Sequence, residues 1–159
     1  MIILGIDPAL TITGYGAIDF KKNKISVIEA GIIATSVKQA LPERLNKIYL
    51  GITKLVSDVR PEVIVLEKLY AHYRHPVTAY ILGQARGIVC LVSAQEKIRL
   101  VEYAATRVKK AIVGAGLAPK HQVQKMVASI LDLKSIPKYA DVTDALALAI
   151  AYIYMRPRI

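Results

Sequence analysis

Residues 2–35, IILGIDPALTITGYGAIDFKKNKISVIEAGIIAT, hold three apolar stretches separated by short polar breaks. IILGID (2–7) ends in an acid, TGYGAIDF (13–20) and ISVIEAGIIAT (25–35) follow, and KKNK (21–24) supplies turn residues between the last two. Runs this short, rich in Ile and bounded by Gly, Pro and Asn, predict three consecutive strands in a meander.

Working outward, the period changes at Pro42. Leu45, Ile48, Tyr49, Ile52, Leu55, Val56 and Val59 recur at helical spacing, Pro42 suits an early helical position and Pro61 closes the segment. EVIVLE (62–67) is almost wholly apolar, as expected of a central strand covered on both faces. Beyond the polar and aromatic loop KLYAHYRHP (68–76), a long helix is predicted from Val77 to about Ile98, then a fifth strand at RLVEYA (99–104). Two helices follow at 104–113 and 120–132. The last helix, DVTDALALAIAYIYM (141–155), is so apolar beyond its first turn that it must pack against the core. The order βββαβαβααα places the chain in the α/β class, with a mixed five-stranded sheet flanked by helices. The 159 residues show no repeat or linker and predict a single domain over 1–159.

Composition narrows the setting. A hydrophobic fraction of 54% and a mean hydropathy of +0.39 exclude a disordered chain. No apolar run reaches the roughly 18 residues of a bilayer span, so no membrane partner is expected. MIILGIDPAL lacks the basic segment and cleavage site of a leader, so the first residues are expected to belong to the fold. Cys90 is the only cysteine, which excludes an internal disulfide and suits a reducing cytoplasm. The 22 Lys and Arg against 12 Asp and Glu give a net charge of +10 and a pI near 9.7, the balance of a nucleic-acid binder. No acid occurs between Tyr103 and Leu131, where Arg107, Lys109, Lys110, Lys120 and Lys125 fall, and residues 68–95 are also free of acids.

Against this basic background Asp7, Glu67, Asp141 and Asp144 stand out. Asp7 ends the first strand and Glu67 the fourth, so if those strands are neighbours their carboxylates meet at one opening. Asp141 and Asp144, three apart on the first turn of the last helix, share one helical face. Four converging carboxylates repel one another unless divalent cations neutralise them, and hard oxygen ligands favour Mg²⁺. Without His-rich or Cys-rich spacing, zinc is not expected. Each acid also has a purely structural reading: Asp141 as the N-cap of the last helix with Asp144 near its dipole, Asp7 as a turn former before Pro8, and Glu67 as a solvated strand end. His72, His75 and His121 are single histidines on polar segments and read as surface residues or phosphate contacts rather than ligands, with His121 beside Lys120 placed to touch DNA.

Taken in order, GIDPALTITGYG, LEKLY, LGQARG, EYAATRVKKAIVG, PKHQVQKMV and DVTDALALAIA resemble the successive motifs of the RuvC Holliday-junction resolvases, from about Met1 to Tyr152. The resemblance implies a ribonuclease-H-like fold, a homodimer, and two-metal hydrolysis by carboxylates that map onto Asp7, Glu67, Asp141 and Asp144. It implies two Mg²⁺ per site, with Mn²⁺ as a substitute, four-way junction DNA as substrate in recombination and repair, and a branch-migration helicase complex as partner. Lys109 and Lys120 fall at basic positions the family uses near DNA. Tyr70 falls where the family carries an aromatic, usually Phe, that contacts bases at the crossover. Two features depart from the pattern: Ala9 replaces the Gly that usually follows Asp-Pro, which raises the question of a positive φ there, and the C-terminal tail is short. The long helix from Val77, apolar on more than one face, is the candidate dimer interface, although burial within the monomer explains that pattern equally well.

Other readings remain beside this one. An actin-like or sugar-kinase ATPase half begins with a similar acid-ended strand and Gly-containing hairpin, but it needs a second lobe that 159 residues do not provide. Another ribonuclease-H-fold nuclease acting on RNA/DNA hybrid, or a non-catalytic junction-binding protein, differs from a resolvase in the substrate cut or in the loss of the metal site.

Overall fold

The computed structural model describes residues 1–69 and 76–156, with only the backbone of 76–78. Its elements run β1 (Ile2–Asp7), β2 (Ile12–Lys21), β3 (Lys24–Ala34), α1 (Leu41–Val59), β4 (Val63–Glu67), α2 (Pro76–Gln95), β5 (Arg99–Tyr103), α3 (Ala105–Val113), α4 (Lys120–Ile130) and α5 (Ala140–Met155). The predicted order holds throughout. Between β2 and β3 the turn is made by Lys22 and Asn23, both at positive φ, the two-residue geometry that matches the twist of a hairpin.

The sheet order is β3-β2-β1-β4-β5. β1 pairs antiparallel with β2 and parallel with β4, so it lies at the centre of a mixed sheet. That position explains its composition: Ile3, Leu4 and Ile6 are fully buried because helices cover both faces. With a side-chain period of two, Leu4, Ile6, Ile64 and Leu66 face a core completed by α1 and α2. Ile3, Val63 and Val65 face the opposite core, built with α3, α4 and α5. Continuing the alternation by one step directs Asp7 and Glu67 to the α5 side.

All seven helical positions read from the sequence in α1 belong to the first of these cores. The helix ends at Arg60, whose left-handed backbone (φ 52°) lets its amide donate to the Val56 carbonyl at 2.8 Å just before Pro61. α2 stops earlier than its apolar pattern predicts. It ends at Gln95, not Ile98, because Lys97 takes a positive φ of 55° and the Ile98 amide turns back to the Ser93 carbonyl. Ile98 keeps its apolar contact by packing into the core from this turn.

Candidate active site

α5 lies unusually close to the sheet. A Cβ at Gly5 would stand 1.9 Å from the Ala145 carbonyl oxygen, one at Gly16 would meet the Leu146 side chain at 2.5 Å, and one at Gly14 would stand 2.2 Å from the Asp141 carbonyl oxygen. Gly5 pairs with Gly16, and Gly14 with Asp7, across the β1–β2 ladder. The three glycines therefore open a trough that admits the helix backbone, and the open end of that trough is where Asp7 lies. In the sequence these glycines read only as breaks. The signal that identifies them is their register, which puts all three on the α5 face.

β1 and β4 are neighbours, and Ile6 pairs with Leu66, so the residues that follow, Asp7 and Glu67, leave adjacent strand ends side by side. The turn after Asp7 is held by buried Thr13, whose hydroxyl donates to the Ala9 carbonyl at 2.7 Å and accepts from the Ala9 amide at 3.3 Å. Ala9 is not among the residues at positive φ, so the loss of a Gly there costs the turn nothing. Asp141 is not the N-cap of α5. Tyr139 occupies that position without a side-chain hydrogen bond, and Asp141 falls within the first turn, where the helix dipole favours a negative charge.

The electrostatics tie the acids together. Burial pushes the Asp7 carboxyl up to about 7, with the negative charges of Asp144, Asp141 and Glu67 adding to the rise and Lys120 opposing it. Glu67 is also raised, by burial first and then by Asp144, while Lys109 and Lys120 pull the other way. Lys120 Nζ stands 2.6 Å from Asp144 Oδ2, and this hydrogen bond raises the lysine above its ordinary value. Among the described residues no three donors close around one point.

A cleft of about 190 Å³ opens beside the acids, lined by Glu67, Lys109, Lys120 and Asp144 at its polar rim and by Val108 and Val123 below. A larger hollow of about 400 Å³ lies elsewhere, between β3 and residues 133–139, and no acid lines it. Glu67, Asp144, Lys109 and Lys120 line the smaller one. The donor set there, carboxylate oxygens with Asp7 destabilised as an anion, fits a hard divalent cation, which would relieve the crowding that raises Asp7 and Glu67. The structure thus brings Asp7, Glu67, Asp141, Asp144, Lys109 and Lys120 to one place. Tyr70, with His72, Tyr73 and His75, lies outside the described residues.

A family model described as crossover junction endodeoxyribonuclease RuvC matches residues 3–152. The chain is 43% identical over 152 residues to the crossover junction endodeoxyribonuclease RuvC of Alkaliphilus metalliredigens, covering 96% of this chain and 92% of that one. It is 40% identical over 153 residues to the protein of the same description from Rhodopirellula baltica, covering 96% and 86%. Among solved structures it resembles Thermus thermophilus RuvC in complex with a Holliday junction substrate, with a TM-score of 0.91 at 31% identity, over 97% of this chain and 93% of that one.

Proposed function

The chain belongs to the RuvC family of crossover junction endodeoxyribonucleases, and we propose that it nicks two symmetric strands of four-way DNA junctions in recombination and repair, with Asp7, Glu67, Asp141 and Asp144 as ligands of Mg²⁺. One arrangement carries this reading. Two acids leave adjacent strand ends over the first turns of α5, with Lys109 and Lys120 across from them. The junction-bound solved relative supports a four-way junction as the substrate.

When bound, a pair of Mg²⁺ ions supplies an activated water and charge neutralisation at the leaving oxygen, and Mn²⁺ has the same preference for oxygen ligands. The protein's part is to position. Asp7 ends β1, the central strand of the sheet. It must be ionised to act as a ligand, and burial leaves it partly protonated at neutral pH. Lys120, once it leaves Asp144, faces a strand phosphate, and Lys109 lies on the same rim. Both offset the charge that develops on the phosphate and hold the backbone in register. Tyr70, three residues past Glu67, is read as the base-stacking aromatic of the crossover.

A four-way junction offers two equivalent strands, and a two-fold dimer offers two equivalent sites. α2 supports such a pairing. Ala85, Val89 and Val92 are buried in the monomer, whereas Tyr80, Gly83, Gly87 and Leu91 form an exposed stripe at helical spacing, with Tyr80 69% exposed. We infer that the chain homodimerises through that stripe, with a branch-migration helicase complex delivering the junction. No described helix is long and apolar enough to cross a membrane, and the cytoplasm is the compartment the single free Cys90 suits.

The decisive assay offers a synthetic four-way junction, a linear duplex and an RNA/DNA hybrid, each with Mg²⁺ or EDTA. Symmetric nicks confined to the junction and abolished by EDTA are expected; preferential cutting of the hybrid overturns the substrate. A second test concerns the rim. Lys109→Ala should weaken junction binding and lower the slope of log affinity against log salt by about 1, the signature of one lost phosphate contact. An unchanged slope removes Lys109 from the interface.

A further inference from the structure

Arg86 belongs to LGQARG, a motif with no part in the site as described so far. Its side chain is only 14% exposed and runs from α2 to the ends of two strands. One guanidinium nitrogen, Nη1, donates to the backbone carbonyl of Glu67 at 2.8 Å. The other, Nη2, is ion-paired with Glu102 on β5. Beside them the Lys68 amide donates to the Tyr103 carbonyl at 2.8 Å, extending the β4–β5 ladder by one bond past Glu67.

The arrangement has a physical logic. The direction in which the last side chain of a strand projects depends on how its last peptide is held, and the Glu67–Lys68 peptide is held on both edges, its N–H by the Tyr103 carbonyl and its C=O by Arg86. Glu67 is the last residue of β4, and residues 70–75 lie beyond it. A guanidinium fixes a carbonyl and a carboxylate at once because its planar fork presents donors on two sides, which a single ammonium does not. The Arg86 side chain is largely covered while both of its partners stay partly exposed, and Glu102 supplies the counter-charge beside the bond to the carbonyl. Arg86 thus stands outside the ring of acids while holding the backbone of one of them.

We propose that Arg86 is a positioning residue for junction cleavage: by gripping the Glu67 carbonyl it sets the direction of the Glu67 carboxylate, with Glu102 as its counter-charge. The inference rests on the reading of Glu67 as a catalytic-site ligand. It assigns Arg86 no contact with DNA, although its charge alone would suggest one on so basic a chain.

The test compares Arg86→Gln, Arg86→Lys and Glu67→Gln in the full-length protein, reading junction affinity, maximal cleavage rate, the Mg²⁺ concentration for half-maximal rate, and thermal unfolding. A misplacement of about 1 Å costs on the order of 100-fold in rate. Arg86→Gln should therefore lower the maximal rate about 100-fold and raise the Mg²⁺ requirement several-fold, with junction affinity unchanged. Arg86→Lys, which keeps the charge opposite Glu102 but cannot bridge both partners, should recover part of the rate. A weakened junction affinity would make Arg86 a DNA contact and overturn the proposal. So would an unshifted Mg²⁺ requirement, or a rate loss matching the fraction unfolded. If Glu67→Gln itself cleaves at the normal rate, it is the site reading that fails; if Glu67→Gln is inactive and Arg86→Gln is not, only this inference does.

Discussion

Asp7→Asn is expected to abolish junction cleavage while making the metal-free protein more stable above neutral pH. The amide keeps the shape of the side chain but loses the negative charge a cation requires. Asp7 lies on the central strand beside the other three acids, so the loss of rate should be at least on the order of 10³-fold, or about 4 kcal/mol of transition-state stabilisation. Junction binding should persist, since the proposed DNA contacts are the lysines of the rim and Asp7 is not one of them. The stability effect follows from the same crowding. The Asp7 carboxyl is held at about 7 in the fold against an ordinary value of 3.8, so between those values the native state binds more protons than the unfolded chain. Stability is therefore lost as pH rises through this window, and the full penalty is present above pH 7. At about 1.36 kcal/mol per pH unit the ceiling is about 4 kcal/mol, and water reaching the partly exposed site reduces it to about 2. Asn at this position avoids that cost. Unfolding followed in EDTA should show Asp7→Asn melting about 5 °C higher at pH 8 and almost unchanged at pH 4. Equal gains at both pH values would mean that the carboxylate is not crowded as described, and normal cleavage by the variant would remove Asp7 from the site.

The parts of this protein that announce themselves in the sequence are those with a period. β1 and β4 are short apolar runs ended by acids, and α1 repeats at helical spacing, so their types and the juxtaposition of Asp7 with Glu67 follow once the strands are neighbours. The carboxylates were recognisable because they interrupt a basic chain and close or open buried elements. What was hidden has no period. Gly5, Gly14 and Gly16 make no hydrophobic pattern, and their role depends on the β1–β2 register and on how closely α5 approaches. Arg86 lies in an apolar helix, and nothing in the pattern around it points to Glu102 and the end of β4, which only the sheet order brings beside it. Asp141 has the chemistry of an N-cap, and only the backbone at Tyr139 removes that reading. Ile98 continues the apolar pattern of α2, yet the left-handed Lys97 ends the helix before it; side-chain pattern is blind to backbone handedness.

The glycine trough yields the other large effect. Gly14→Ala adds one methyl group to the strand residue that pairs with Asp7, and that methyl would lie 2.2 Å from the Asp141 carbonyl oxygen, 2.3 Å from its carbonyl carbon and 2.7 Å from its Cβ. None of these atoms is the loose end of a side chain, so the first turn of α5 must lift or β2 must shift. Either movement separates Asp141 from Asp7. Stability should fall by about 1 to 3 kcal/mol, the usual cost of one methyl group too many in a packed contact. Cleavage should fall further, by about 100-fold, because the displaced group is a proposed ligand rather than filler. Gly5→Ala offers the contrast: its methyl would overlap Ala145 in the buried middle of the same helix, so the larger loss there should be in folding. Gly31→Ala is the control, since its added methyl meets the end of the Tyr15 side chain, at 2.7 Å from the hydroxyl, and that ring can give way. Measured together, cleavage rates and unfolding free energies should separate: Gly14→Ala losing rate out of proportion to stability, Gly5→Ala losing stability, Gly31→Ala close to the parent in both. A Gly14→Ala protein with normal rate and stability would mean that α5 does not lie against the sheet at this point, and the proposed convergence of Asp141 with Asp7 would go with it.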